Sequence, residues 1–184
     1  MSYDVAVLVG SLRKESYNRK MAHALIVLSH PALSLSIVEI GALPLYNQDE
    51  DGTDIPAWKT FRETVARAQA VLFVTAEYNR SVPGCLKNAL DVGSRPYGKS
   101  AWDGKPAAIV SVSPGAMGGF GANHHLRQSL VFLNMPAMQQ PEAYIGGAAK
   151  IFTDDGGFAN DATKEFMRKF LDAFASWIDI TARK

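Results

Sequence analysis

Residues 10–18, Gly-Ser-Leu-Arg-Lys-Glu-Ser-Tyr-Asn, gather Ser11, Arg13, Ser16 and Asn18 directly after an apolar run and directly before a helical pattern. Hydroxyls, an amide and one fixed cation at a helix start are what a phosphate group requires, because the first backbone N–H groups of a helix lack partners and its dipole favours an anion. The segment lacks the Gly-Lys-Ser/Thr ending that grips a nucleoside triphosphate with Mg²⁺, and it lacks Gly-x-Gly-x-x-Gly. A single phosphate monoester suits it better than a triphosphate or a pyrophosphate. The plainer alternative is a helix N-cap supplied by Ser16 or Asn18. A second polar turn, Thr75 to Gly84, contains Glu77, Tyr78, Asn79, Arg80 and Ser81. It could hold a flat heteroaromatic ring through backbone groups and the Tyr78 face, or simply feed a helix. A third segment, Ser111 to Gly121, is glycine-rich, which permits close backbone approach to a ligand.

These three segments follow apolar strands. Val5–Val9, Leu35–Ile40, Ala70–Thr75 and Pro106–Val112 read as strands, and the near-continuous apolar runs among them fit a parallel sheet buried on both faces. Helices are predicted over about 18–29, 56–69, 83–94, 122–133 and 162–180, and a short fifth strand near Ala137–Gln140. In the last helix Phe166, Phe170, Ala173, Phe174 and Trp177 fall on one face, which marks core. Repeated strand–helix alternation predicts one α/β domain with a doubly wound sheet over residues 1–184, with ligands beyond the carboxyl ends of the strands.

Composition removes other classes. The chain has 184 residues, 47% apolar and 20% charged, and 19 basic against 18 acidic side chains leave a formal charge of +1. Such a balance gives no electrostatic footprint for nucleic acid or an acidic membrane. Cys85 is the only cysteine, so neither a disulfide framework nor a thiolate zinc cluster is available. No basic, apolar leader precedes Val5 and no membrane-span pattern occurs, so a cytoplasmic protein is expected. Asp49, Glu50, Asp51 and Asp54 read as solvated loop charges rather than a metal site. Adjacent His124 and His125 point about 100° apart on a helix and make a poor chelating pair. Cys85 sits near a helix start, where a thiolate is favoured, yet small apolar packing is the expected role.

Two motifs together carry a resemblance: Gly10-Ser11-Leu12-Arg13-x-x-Ser16-x-Asn18, and Glu77-Tyr78-Asn79-x-Ser81-Val82-Pro83-Gly84-x-Leu86-Lys87-Asn88-Ala89-Leu90-Asp91. The chain resembles the NADPH-dependent FMN reductase family of the flavodoxin-like superfamily, which includes quinone, chromate and azo-dye reductases. The resemblance implies a three-layer flavodoxin-like fold with strand order 2-1-3-4-5 and one non-covalent FMN reduced by NADPH or NADH. It implies ping-pong transfer of electrons to a quinone, azo compound, chromate or free flavin. Ser11, Arg13, Ser16 and Asn18 would hold the phosphate, with Tyr17 beside them. Glu77, Tyr78, Asn79 and Arg80 would lie along the flavin ring, and Ser113 would touch it. No side chain is assigned as acid, base or nucleophile, because the flavin carries the chemistry. Ala76 departs from the proline usual before Glu-Tyr-Asn. A homodimer or homotetramer is also implied, with Arg80, His124 and Glu142 as interface candidates. The competing reading is a flavodoxin-like electron carrier without its own NAD(P)H site, which the near-neutral charge disfavours.

Overall fold

A computed structural model describes residues 2–28 and 30–181. Five parallel strands form one sheet: β1 (Tyr3–Gly10), β2 (Leu33–Val38), β3 (Ala70–Thr75), β4 (Ala107–Val112) and β5 (Ala143–Ile145), in the order β2-β1-β3-β4-β5. Five helices connect and cover them: α1 (Tyr17–Leu28), α2 (Pro56–Arg67), α3 (Gly84–Gly93), α4 (Phe120–Phe132) and α5 (Asp161–Thr181). Every residue of β3 and β4 is buried, as are Val5 to Gly10 of β1. Alternate residues of these strands feed two separate cores. Val5, Val7, Val9, Leu72 and Val74 pack with α1 and α5, while Ala6, Leu8, Val71, Phe73 and Ile109 pack with α2, α3 and α4. The sheet is thus the middle layer of three, as the apolar runs require.

The aromatic stripe of α5 is core. Phe170 and Phe174 are fully buried, and Phe166, Ala173 and Trp177 pack partly against the same cluster. Element limits differ from the sequence reading by a residue or two in most cases. Pro83 precedes α3 as its N-cap rather than forming its first turn, and the expected end of α1 at Ser29 lies outside the described residues.

The fifth strand is the substantive correction. Residues 137–140 do not form it; β5 is Ala143–Ile145. The chain does reach the sheet at Ala137, where Met138 N donates to Ala107 O (2.8 Å) and Ala107 N to Pro136 O (3.0 Å). It then leaves, and it pairs with β4 again only from Ala143, opposite Val110. Pro141 has no N–H to give a ladder, and pairing is interrupted around it.

On the α3 side, Trp102 is fully buried against Phe61 and Phe73 and donates its indole N–H to Leu90 O at 2.9 Å. A Cβ on Gly93 would fall 2.5 Å from the Trp102 ring. Gly93→Ala should therefore destabilise the fold by about 1–3 kcal/mol, the usual cost of overpacking a close-packed core. Chemical denaturation of the two proteins measures this directly.

Candidate functional site

The loops after β1, β3 and β4 meet at the carboxyl edge of the sheet, around a cleft of about 220 Å³. Ser11, Arg13, Ser16, Tyr17, Asn18, Glu77, Tyr78 and Ser113 line it, together with Ala76, Val112 and Pro114. Eight of the ten residues expected to contact a cofactor are brought together here. Asn79 and Arg80 are exposed and lie outside the lining.

The β1–α1 loop supplies one wall. Ser16 is the N-cap of α1, accepting from Arg19 N at 3.3 Å, and it remains buried at the cleft. The N-cap alternative and a ligand contact are thus compatible. Asn18 is also buried; its Nδ2 donates to Val112 O at 3.3 Å, while its Oδ1 finds no partner. A buried amide oxygen without a donor is costly, and a ligand hydroxyl, not a phosphate oxygen, would complete its bonding. Ser11 is buried at the same wall and Arg13 is exposed at its rim. The donor set, two hydroxyls and a guanidinium at the start of α1, fits the phosphate of FMN.

The loop after β3 is a two-residue hairpin. Tyr78 and Ser81 exchange backbone hydrogen bonds of 3.1 and 2.9 Å, and Asn79 and Arg80 take φ of +51° and +65°. Positive φ at both central positions is the type I′ turn. Thr75 Oγ1 donates to Ala76 O at 2.8 Å, which helps hold the segment where a proline is missing. Glu77 turns its carboxylate to α4: Oε2 accepts from Ala122 N at 3.0 Å. Arg80 stands 3.8 Å from the other oxygen of Glu77, within the same chain.

The two histidines diverge. His124 Nε2 meets Tyr144 OH at 2.9 Å, and His125 Nδ1 meets Ser81 Oγ at 2.7 Å. Cys85 is half-buried, and burial pushes its thiol above the ordinary range, so it packs rather than ionises. Among the acidic loop residues, Asp51 is not merely solvated, since Tyr46 OH donates to its Oδ2 at 3.0 Å.

Some organising residues had no role assigned from the sequence, although Asn88 stands within the second motif. Asn88 accepts from Tyr46 N (2.8 Å) and donates to Leu43 O and Pro44 O (3.3 and 3.0 Å), tying down the loop after β2. Asn123 and Ser111 form a buried pair at 3.3 Å, and Arg127 donates to Asn123 Oδ1 and Met138 O. The available signal was a polar side chain on an otherwise apolar face. A larger cavity of about 470 Å³ lies at the opposite, amino end of the strands. Its polar groups serve the fold: Lys105 Nζ donates to Ala66 O and Ala68 O, and Tyr3 OH to Asp179.

Two predictions test this geometry. Arg80 adopts a left-handed conformation that costs an L-residue about 1–2 kcal/mol, partly offset by the extra unfolded-state freedom of glycine. Arg80→Gly should raise stability by roughly 0.5–1 kcal/mol, read as an increase in Tm. Burial and Glu142 push the Tyr144 phenol up to about 12. The folded state favours the protonated form, so this contribution is present below pH about 10 and is lost as pH rises through about 12. Removing Tyr144 by Tyr144→Phe should delete a late step from the tyrosinate absorbance titration.

Known proteins resemble this chain in sequence and in fold. The family model for NADPH-dependent FMN reductase matches residues 3–150. A quinone reductase of Pseudomonas putida is 68% identical over 179 residues, covering 97% of this chain and 96% of that protein. A 2-hydroxy-1,4-benzoquinone reductase of Burkholderia sp is 43% identical, covering 97% of each. The structure of FerB, a flavoenzyme NAD(P)H:(acceptor) oxidoreductase from Paracoccus denitrificans, superposes with a TM-score of 0.93 at 39% identity, covering 98% of this chain and all of that one. With its three loops converging on a cleft at the carboxyl edge of the sheet, this chain belongs to the NADPH-dependent FMN reductase family, a family of flavin-dependent oxidoreductases.

Proposed function

We propose that the protein is an NAD(P)H:quinone reductase that works in ping-pong order through one FMN held in the cleft between the loops after β1, β3 and β4. The observation that carries this reading is the convergence of buried Ser11 and Ser16, exposed Arg13 and the α1 N-terminus on one wall of the cleft, a cradle of hydrogen-bond donors and positive charge. Bound FMN would supply the redox chemistry, accepting a hydride from NAD(P)H and passing electrons to the acceptor. The chain's own residues bind and orient. Ser11, Arg13, Ser16 and Asn18, flanked by Tyr17, hold the phosphate end. The backbone of Glu77 and Tyr78 borders the ring, with Ser113 facing them across the cleft.

Quinones head the proposed acceptors, because relatives with 68% and 43% identity carry quinone-reductase names. Azo compounds, chromate and free flavin follow as secondary acceptors of the reduced cofactor. Assembly as a homodimer or homotetramer is proposed as well, supported by the exposed apolar side chains of Tyr97, Val131 and Phe132. Among the described residues no helix is long and apolar enough to cross a membrane, which fits the proposed cytoplasmic location.

Arg13→Ala should weaken FMN binding by about 1.5–3 kcal/mol, the range for a hydrogen bond to a charged group. Titration of apoprotein with FMN reads this as a rise in Kd of roughly tenfold or more; an unchanged Kd removes Arg13 from the phosphate site. Anaerobic addition of NADPH to the FMN-loaded protein should bleach the flavin band. Bleaching by dithionite but by neither NADPH nor NADH would make it an electron carrier.

A further inference from the structure

The start of α4 has no side-chain cap of its own. Its N-cap, Gly119, sits at φ +76° and carries nothing that can accept a hydrogen bond from the first turn. The acceptor comes from another element: Glu77, whose side chain is only 15% exposed, receives Ala122 N–H at 3.0 Å. A carboxylate at this end of a helix meets both an orphan donor and the positive end of the dipole. Gly121 makes room for the contact. A Cβ there would lie 3.0 Å from Glu77 Oε2 and 3.0 Å from Arg80 O. One turn further along, His125 Nδ1 meets Ser81 Oγ at 2.7 Å. The hydroxyl can donate or accept, so this second clasp persists in either protonation state of the ring.

The segment so fastened is the 78–81 hairpin, whose Tyr78 and preceding Glu77 line the cleft. A two-residue hairpin is marginal by itself, and its two left-handed residues add strain. Its place at the cleft must therefore come from what it is tied to. We infer that Glu77 is a positioning residue: through its carboxylate cap on α4, it holds the hairpin at the height at which its backbone can border the flavin ring. Gly121 belongs to the same device, as the notch that admits the carboxylate. This rests on the cleft being the FMN site and assigns Glu77 an action through α4 rather than a direct contact with the cofactor.

Three variants of the full chain, titrated with FMN as apoprotein, test the inference, with amide hydrogen exchange at Ala122 as a second readout. Glu77→Ala should raise the FMN Kd at least tenfold and speed exchange at Ala122. Glu77→Gln keeps an acceptor oxygen for the same N–H and should stay within about threefold of the parent. Gly121→Ala, which crowds the contact from the helix side, should raise the Kd and speed Ala122 exchange without touching Glu77. Equal losses in the Ala and Gln variants would overturn the inference in favour of a direct charge contact. An unchanged Kd in Glu77→Ala, or in Gly121→Ala should the former fail to fold, would overturn it outright. Failure of the cleft reading is distinguishable: Glu77→Ala would still speed exchange at Ala122, while Arg13→Ala and Glu77→Ala would both leave the Kd unchanged.

Discussion

The three inner strands are buried on both faces, and this constraint orders everything else. With β1, β3 and β4 sealed between two apolar cores, no polar chemistry fits within the sheet. It is displaced to the strand ends, where backbone groups leave the ladder and helices begin. At the carboxyl end the chain spends its hydroxyls, amides and glycines on three loops. At the amino end, similar polar side chains close helix ends and brace the terminal helix. Burial therefore separates a binding edge from a structural edge.

The binding edge is held by borrowed contacts. Ser16 caps its own helix, but α4 takes its cap from the loop after β3. Asn88 on α3 anchors the loop after β2, and the buried Ser111–Asn123 pair locks α4 to β4. Each contact joins two elements that meet only in the folded chain. The cleft gains rigidity in this way from contacts between the elements around it.

The division between legible and hidden features follows from the range of the forces involved. Apolar runs such as Ala70–Thr75 announce buried strands because the whole segment obeys one rule, and the Phe170–Phe174 stripe announces a packed helix face in the same way. One wall of the cleft could be read from Ser11, Arg13, Ser16 and Asn18 because all four lie within a single loop and helix start. Glu77 shows the limit. Its neighbours in sequence suggest a ring contact, whereas its hydrogen bond goes to Ala122, 45 residues away. The fifth strand was hidden for another reason: its pairing is split around Pro141, and three residues are too few to display an alternation.

That split strand also bears on solubility. A long, regular outer strand exposes a row of unpaired backbone groups that a neighbouring molecule can extend. Here the outer partner of β4 touches the sheet at Ala137, departs, and returns for only three residues. Pro136 and Pro141 contribute no N–H along the way. Little continuous template is left for another chain to copy. The irregularity that disguises the strand in sequence acts as a guard against edge-to-edge aggregation, and it does so whether or not a cofactor is bound at the carboxyl edge of the sheet.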